Sequence, residues 1–177
     1  MSTAATNGVD WPNGVHRALS ERGVGQVAFV PDAGLTRLIH LCEADAAMRT
    51  VVLTSEQEGI ALAAGAWLGG VRTAVLMQSS GVGNIVNMLS LARTCRFPLF
   101  LLVTMRGECD EVNEWQKPMG EATPRILELA GVGVRRAERA GEVVEMAAQA
   151  ARDVYESERR EAVLIAQAVI GVKSFDE

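Results

Sequence analysis

The sequence predicts a three-layer α/β/α domain built on a mostly parallel sheet of about six strands. Short apolar runs rich in β-branched residues alternate with longer stretches of helical periodicity along the 177-residue chain. Glycine and small polar residues punctuate most transitions between them. One run, Pro98-Leu99-Phe100-Leu101-Leu102-Val103, is apolar at every position. That is the pattern of a central strand covered on both faces, as in parallel sheets with right-handed crossovers.

The elements follow in order. A helix is predicted over Trp11–Arg22, with Val15, Ala18 and Leu19 facing a core and Gly23 closing it. A strand over Gln26–Val30 runs into the turn Pro31-Asp32-Ala33-Gly34, and a second helix over Leu35–Ala44 carries Leu35, Leu38, Ile39 and Cys42 on one side. Thr50–Leu53 reads as a buried strand, followed by the Ala- and Gly-rich helix IALAAGAWLGG. Val71–Met77 is a strand, Gln78–Gly83 a polar glycine-rich turn and Asn84–Thr94 a helix. After the strand at 98–103, Met105–Gly120 reads as a long polar loop, of the kind that is usually functional or disordered. A helix over Glu121–Ala130 stops at Gly131, and a strand over Val132–Arg136, a long helix over Gly141–Glu158 and a last strand over Ala162–Ala166 complete the chain. Residues 1–11 read as a loose N-terminal tail without an apolar signal region, and 12–177 as one domain.

Composition excludes several function classes. The formal net charge is −5, with no basic stripe to neutralise phosphates, so nucleic acid is not an expected partner. No run of about 18 apolar residues exists, so no membrane span is expected. Cys42, Cys95 and Cys109 lack metal-type spacing and read as reduced thiols of a cytoplasmic protein, the first two as small core residues and Cys109 in a polar loop. His16 and His40 have no partner cysteine or carboxylate at catalytic spacing, and GxSxG, HExxH and paired-cysteine motifs are absent.

The chemistry concentrates where strands end. In Thr54-Ser55-Glu56-Gln57-Glu58, Ser55 and Glu58 have capping-box spacing, which sends Glu58 back to the free N–H at the helix start. Glu56 has no such task and sits where open α/β sheets bind ligands, beyond the carboxyl ends of the strands. A carboxylate there also gains from the helix dipole, which is the purely structural alternative. In the turn Ser79-Ser80-Gly81-Val82-Gly83-Asn84, glycines 81 and 83 permit positive φ and close backbone approach, and the helix start offers N–H groups to a ligand. It is not a phosphate loop, because the last glycine of GxGxxG and any Gly-Lys-Ser/Thr are missing. Asp32 ends another strand and is equally an ordinary turn residue. Arg106 and Lys117 are cations in the long loop, where a guanidinium fork would suit a sulfonate, phosphonate or carboxylate.

Taken in order, FVPDAGLTRLI, SEQEGIALAAGAW, MQSSGVGNIVN, FPLFLLVTMRGE and KPMGEATPRILELAGV resemble the pyrimidine-binding half of thiamine diphosphate-dependent 2-oxoacid decarboxylases. The likeness is greatest to the separate alpha subunit of sulfopyruvate decarboxylase and the matching half of phosphonopyruvate decarboxylase. The family pattern of Glu, Ala at +7 and Gly at +9 is met by Glu56, Ala63 and Gly65, and not by Glu58. The resemblance implies that Glu56 hydrogen-bonds N1′ of the aminopyrimidine, in a crevice dry enough for the proton to be shared. It implies cofactor contacts from Ser80, Gly81, Gly83 and Asn84. The candidate contacts to the distal anion of a small 2-oxoacid are Arg106 first, then Gln78, Asn84 and Lys117, and Asp32 is a second candidate for proton handling.

The Gly-Asp-Gly…Asn element that holds Mg²⁺ and diphosphate in the family is absent from the sequence. The resemblance therefore implies a partner beta subunit that supplies it, and a hetero-oligomeric decarboxylase active only when paired. The expected reaction is 3-sulfopyruvate to sulfoacetaldehyde and CO₂. The alternatives are the phosphonopyruvate enzyme's subunit, or a non-catalytic flavodoxin-like binding or regulatory module.

Overall fold

The computed structural model describes residues 8–109 and 111–171. Six strands form one sheet: β1 (Val24–Phe29), β2 (Arg49–Val52), β3 (Arg72–Gln78), β4 (Leu99–Thr104), β5 (Gly133–Ala137) and β6 (Arg160–Ile165). Their order is β2-β1-β3-β4-β6-β5, and every neighbouring pair is parallel. Around them lie α1 (Trp11–Glu21), α2 (Thr36–Ala44), α3 (Glu56–Leu68), α4 (Ser79–Thr94), α5 (Lys117–Leu129), α6 (Ala140–Ser157) and the short α7 (Gln167–Ile170). The three-layer fold read from the sequence is the one observed, with a fully parallel sheet.

The period-two alternation of strand side chains divides the core in two. On one face Ala74, Leu76, Phe100 and Leu102 pack with Val15 and Leu19 of α1, Leu38 and Ile39 of α2 and Val143, Ala147 and Val154 of α6. On the other, Val75, Met77, Leu101 and Val103 pack with Ile60 and Ala63 of α3, Val82, Ile85 and Leu89 of α4 and Leu127 of α5. All of β4 is buried, as its uniform apolarity requires.

Several local expectations are corrected. The strand expected to be buried at 50–53 is the sheet's edge, and Val52 is exposed, because β2 has β1 alone as a neighbour. Its β-branched residues serve strand propensity more than burial. Cys95 caps the end of α4 and is exposed rather than core, whereas Cys42 is buried and its thiol is pushed up to about 12, chiefly by desolvation. His16 does have a carboxylate partner: its Nε2 lies 3.0 Å from Asp45 Oδ2, a contact between α1 and the end of α2 that spacing in sequence cannot reveal. The expected tail falls mostly outside the described residues, but Asp10 accepts a hydrogen bond from Asn13 N to cap α1, and Trp11 is buried. No helix is long and apolar enough to cross a membrane among the described residues.

The connection after β4 is shorter than the 105–120 expected, because a 3₁₀ turn over Glu114–Gln116 leads directly into α5 at Lys117. Gly120 lies in the first turn of α5, and a Cβ there would come within 2.0 Å of the Arg106 carbonyl oxygen. Ala is better than Gly inside a helix by about 1 kcal/mol, and Gly141 of α6, with open space around it, is expected to show that gain. At Gly120 the sign should reverse. Gly120→Ala should cost about 2 kcal/mol net through overpacking against backbone, a Tm fall of roughly 4–8 °C by calorimetry, while Gly141→Ala raises Tm.

Candidate functional site

Because all strands run one way, the segments that follow them meet at a single edge. Successive connections also diverge there: β1 leads outward to β2, and the chain then returns across to β3 on the other side of β1. Switch points of this kind are where open α/β sheets bind ligands. The segments leaving β1, β2, β3 and β4 carry Asp32, Glu56, Ser79 and Arg106 respectively.

Glu56 is the first residue of α3, with Ser55 as an extended N-cap. The expected capping box is not formed as such, because the Ser55 side chain makes no cap hydrogen bond. Glu58 instead accepts from the Thr54 N–H at 3.0 Å and the Thr54 hydroxyl at 2.6 Å, one residue upstream. The Thr54 hydroxyl, then its N–H, hold the Glu58 carboxyl below its ordinary value. Glu58 is thus committed to the local turn, as expected, through a different partner.

Glu56 is 6% exposed. Its Oε2 accepts a hydrogen bond from Asn84 Nδ2 at 2.7 Å. Its Oε1 has no hydrogen-bond partner among the described residues, yet it is not sealed in, since Gln116 Oε1 is the one side-chain atom there that is both buried and unpartnered. The carboxylate lies against Gly81, where a Cβ would fall 2.3 Å from Oε1 and 2.6 Å from Cδ.

The glycine-rich turn expected over 78–83 is absorbed into α4, which begins at Ser79 with Gln78 as N-cap. Neither Gly81 nor Gly83 has positive φ. Gly81 is small to admit Glu56, and Gly83 faces Met119 at ordinary contact distance. Ser80 and Gln78 are half-buried at this helix start, whose first N–H groups have no intrahelical acceptor.

Arg106 is buried rather than a solvated loop cation. Its Nη2 donates to Asp32 Oδ1 at 2.8 Å, and Thr104 Oγ1 donates to Asp32 Oδ2, also at 2.8 Å. The Arg106 N–H donates to Ser79 Oγ at 3.0 Å, and the Thr123 hydroxyl donates to the Ser79 carbonyl at 3.2 Å. These bonds tie the ends of β1 and β4, the start of α4 and the body of α5 into one network. Lys117, half-buried at the start of α5, pairs with Glu114 at 2.6 Å.

Glu108 and Glu111 fasten the segment after β4 to α7. The Gln167 N–H donates to Glu108 Oε2 at 2.8 Å, and Gln167 Nε2 donates to Glu111 Oε2 at 3.0 Å. Desolvation alone would raise the Glu111 carboxyl. The N–H groups of Asn113 and Gly107, the Gln167 amide and the Arg106 charge outweigh it and hold the group below its ordinary value. Cys109 is exposed beside this network. Sequence reasoning missed Ser79, Thr104, Thr123 and Gln167. The available signal was a hydroxyl at the end of an otherwise apolar strand, in Thr104 after LFLLV. Among the described residues no group of three or more His, Cys, Asp or Glu is placed to hold a metal ion.

Comparison with known proteins adds independent findings. The chain is 38% identical over 128 residues to the sulfopyruvate decarboxylase subunit alpha of Methanothermobacter thermautotrophicus, covering 72% of this chain and 78% of the relative. It is 36% identical over 119 residues to the subunit of the same name from Methanococcus maripaludis, covering 67% and 71%. Phosphonopyruvate decarboxylase of Streptomyces viridochromogenes is 42% identical over 113 residues, 63% of this chain but 28% of that protein. Among solved structures, the 2-oxoglutarate:ferredoxin oxidoreductase of Magnetococcus marinus superposes with a TM-score of 0.70 over 90% of this chain, which spans 29% of that one. At 13% identity, that likeness is one of fold. Residues 13–123 match the family described as "Thiamine pyrophosphate enzyme, N-terminal TPP binding domain", and the chain belongs to that family.

Proposed function

We propose that this chain is the pyrimidine-binding alpha subunit of a two-chain, thiamine diphosphate-dependent decarboxylase that converts 3-sulfopyruvate to sulfoacetaldehyde and CO₂. The observation that carries the reading is the state of Glu56. A buried carboxylate at the start of α3 has one oxygen held by Asn84 and the other without a donor among the described residues, at the edge where the fold places ligands. The subunit-alpha relatives support the substrate and the division into two chains.

The residues fit the pyrimidine end of the cofactor. Glu56 offers an oxygen able to share a proton with a ring nitrogen, and the start of α4 at Ser80 and Gly81 offers polar backbone beside it. Gly83 and Asn84 continue the same surface and are exposed. When bound, thiamine diphosphate supplies the electron sink that decarboxylation of a 2-oxoacid needs. This chain's task is to hold the ring and keep a proton available at Glu56. Diphosphate and Mg²⁺ fall to the beta subunit, consistent with the lack of a Gly-Asp-Gly sequence here. The outward side of α3 supports a second polypeptide seated beside the site. Ala61, Gly65 and Leu68 are exposed, and Gly65 has open space where a side chain would stand. We place the heteromer in the cytoplasm, consistent with three unpaired cysteines.

For the distal anion, we favour Lys117 and Gln78 over Arg106. Arg106 has its charge answered by Asp32, and both Asp32 oxygens are engaged, which leaves this pair a positioning role in place of proton transfer or anion capture. Lys117 is bound by an exposed pair worth about 0–1 kcal/mol, which a substrate anion can displace, and Gln78 stands at the start of α4. The phosphonopyruvate relatives keep a second reading open, in which the same site takes a phosphonate.

With its beta partner, thiamine diphosphate and Mg²⁺, the Glu56→Gln variant should lose about 10²–10⁴-fold in kcat. Near-normal turnover would leave a binding or regulatory module of the same fold. Comparing 3-sulfopyruvate with 3-phosphonopyruvate in one coupled aldehyde assay should give the higher kcat/KM for the sulfonate. Asp32→Ala should strand a buried guanidinium and cost about 3–5 kcal/mol, a Tm fall of roughly 10 °C. Adding Arg106→Met to that variant should recover part of the loss, as read by thermal unfolding.

A further inference from the structure

Glu56 and Asn84 come from different helices and meet in a hydrogen bond of 2.7 Å. The amide nitrogen can only donate, so the Glu56 oxygen it touches must accept. An oxygen that accepts the amide proton acts as the carbonyl-type acceptor, so a proton taken up by the carboxyl group is held on the other oxygen. Gly81 lies on the same face of α4 one turn earlier and supplies the space that this orientation needs. We infer that Asn84 is a positioning residue: its side-chain amide fixes Oε2 of Glu56 as the acceptor and so reserves Oε1 for proton sharing with the cofactor ring. The functional part of this inference rests on the thiamine reading above.

The elements packed against α3 bring no other charged group to the Glu56 carboxylate. Packed against α4, α5 carries Lys117, Glu121, Arg125 and Glu128, of which Lys117 is paired with Glu114. The elements packed against α3 are α4, β1, β3 and β4. Strands β1 and β4 carry no charged residue, the one on β3 is Arg72 at its opposite end, and the one on α4 is Arg93 in its last turn. On α3 itself, Glu58 is bound to Thr54. At the edge beyond, Asp32 and Arg106 are bound to each other. The charge of Glu56 is therefore sensitive to whatever stands at position 84.

Two substitutions separate electrostatics from shape. Asn84→Asp keeps the outline and sets a second carboxylate against the first, and Asn84→Leu keeps similar bulk without a donor. Two facing carboxylates hold one proton more in the folded chain than in the unfolded one, so the aspartate variant should lose stability as pH rises. The test is a thermal-unfolding cycle on the full chain, with both substitutions made in the wild-type and Glu56→Gln backgrounds. The Tm deficit of Asn84→Asp should widen by roughly 3 °C between pH 5 and pH 8. The deficit of Asn84→Leu should stay constant, and in the Glu56→Gln background the pH dependence should vanish. A deficit that ignores pH, or one that widens without Glu56, overturns the inference.

A second readout uses the enzyme paired with its beta subunit. Asn84→Leu should lower kcat about 10-fold and Asn84→Asp about 10²-fold, with KM changed less than about 3-fold. A purely structural residue would rank the two the other way, because aspartate preserves the shape, and that ranking overturns the positioning role. If Glu56→Gln abolishes turnover while the unfolding cycle shows no coupling, the inference fails and the thiamine reading stands. If the cycle shows coupling and Glu56→Gln turns over normally, the contact stands while the thiamine reading and the proton-sharing role fall with it.

Discussion

The site depends on one close approach, the seating of the Glu56 carboxylate against the backbone of α4 at Gly81. A carboxylate removed from water needs partners, and an unpaired one would cost several kcal/mol. Here the fold supplies half of what the group can use. Asn84 serves one oxygen, and the glycine brings the helix near enough for that bond to form without covering the other. Everything that sets the separation of α3 and α4 therefore bears on the chemistry. That includes Gly59, whose missing side chain lets α3 sit close over Leu53 and Val75.

The parallel sheet explains why these groups meet at all. Residues 32, 56, 79 and 106 are far apart in the chain and share only their place just beyond a strand. Parallel pairing turns that common place into one edge, and the reversal of direction between β2 and β3 makes it a topological switch point. The Asp32–Arg106–Thr104 cluster and the two bonds on Ser79 then bind the edge into a rigid frame. A buried ion pair is weak ground for stability in itself. Its use here is geometric, because it fixes the exit of β4 relative to that of β1. The Arg106 N–H bond to Ser79 Oγ fixes the same exit relative to the start of α4 and so to Glu56's partner.

Much of this was legible in the residues and some was not, for physical reasons. Periodicity located all six strands, since alternating and uniformly apolar runs report burial directly. It misplaced the burial of β2, because residues 50–53 read alike at the edge or the centre of a sheet. Glu56 could be singled out from Glu58 by capping logic, even though Glu58 turned out to hold Thr54 in place of the Ser55 N–H. The glycines at 81 and 83 invited a turn because glycine is read locally as conformational freedom. Gly81 answers a side chain on another helix, and no local reading could contain that. The partners of His16 and Arg106 were hidden for the same reason, lying 29 and 74 residues away.

The contrast between two carboxylates at this edge carries the functional reading further than the position of either. Asp32 and Glu56 are both buried at strand ends, and both were candidates for proton chemistry. Asp32 accepts from a guanidinium and a hydroxyl, so each of its oxygens is engaged by the fold. Glu56 accepts one amide proton and keeps an oxygen without a donor among the described residues. That oxygen is not sealed inside the protein, so it stays open to an incoming donor, whereas each Asp32 oxygen already has one from the fold. The two carboxylates thus differ in what the fold asks of them: Asp32 is bound on both oxygens within the edge, and Glu56 keeps one oxygen without a donor among the described residues.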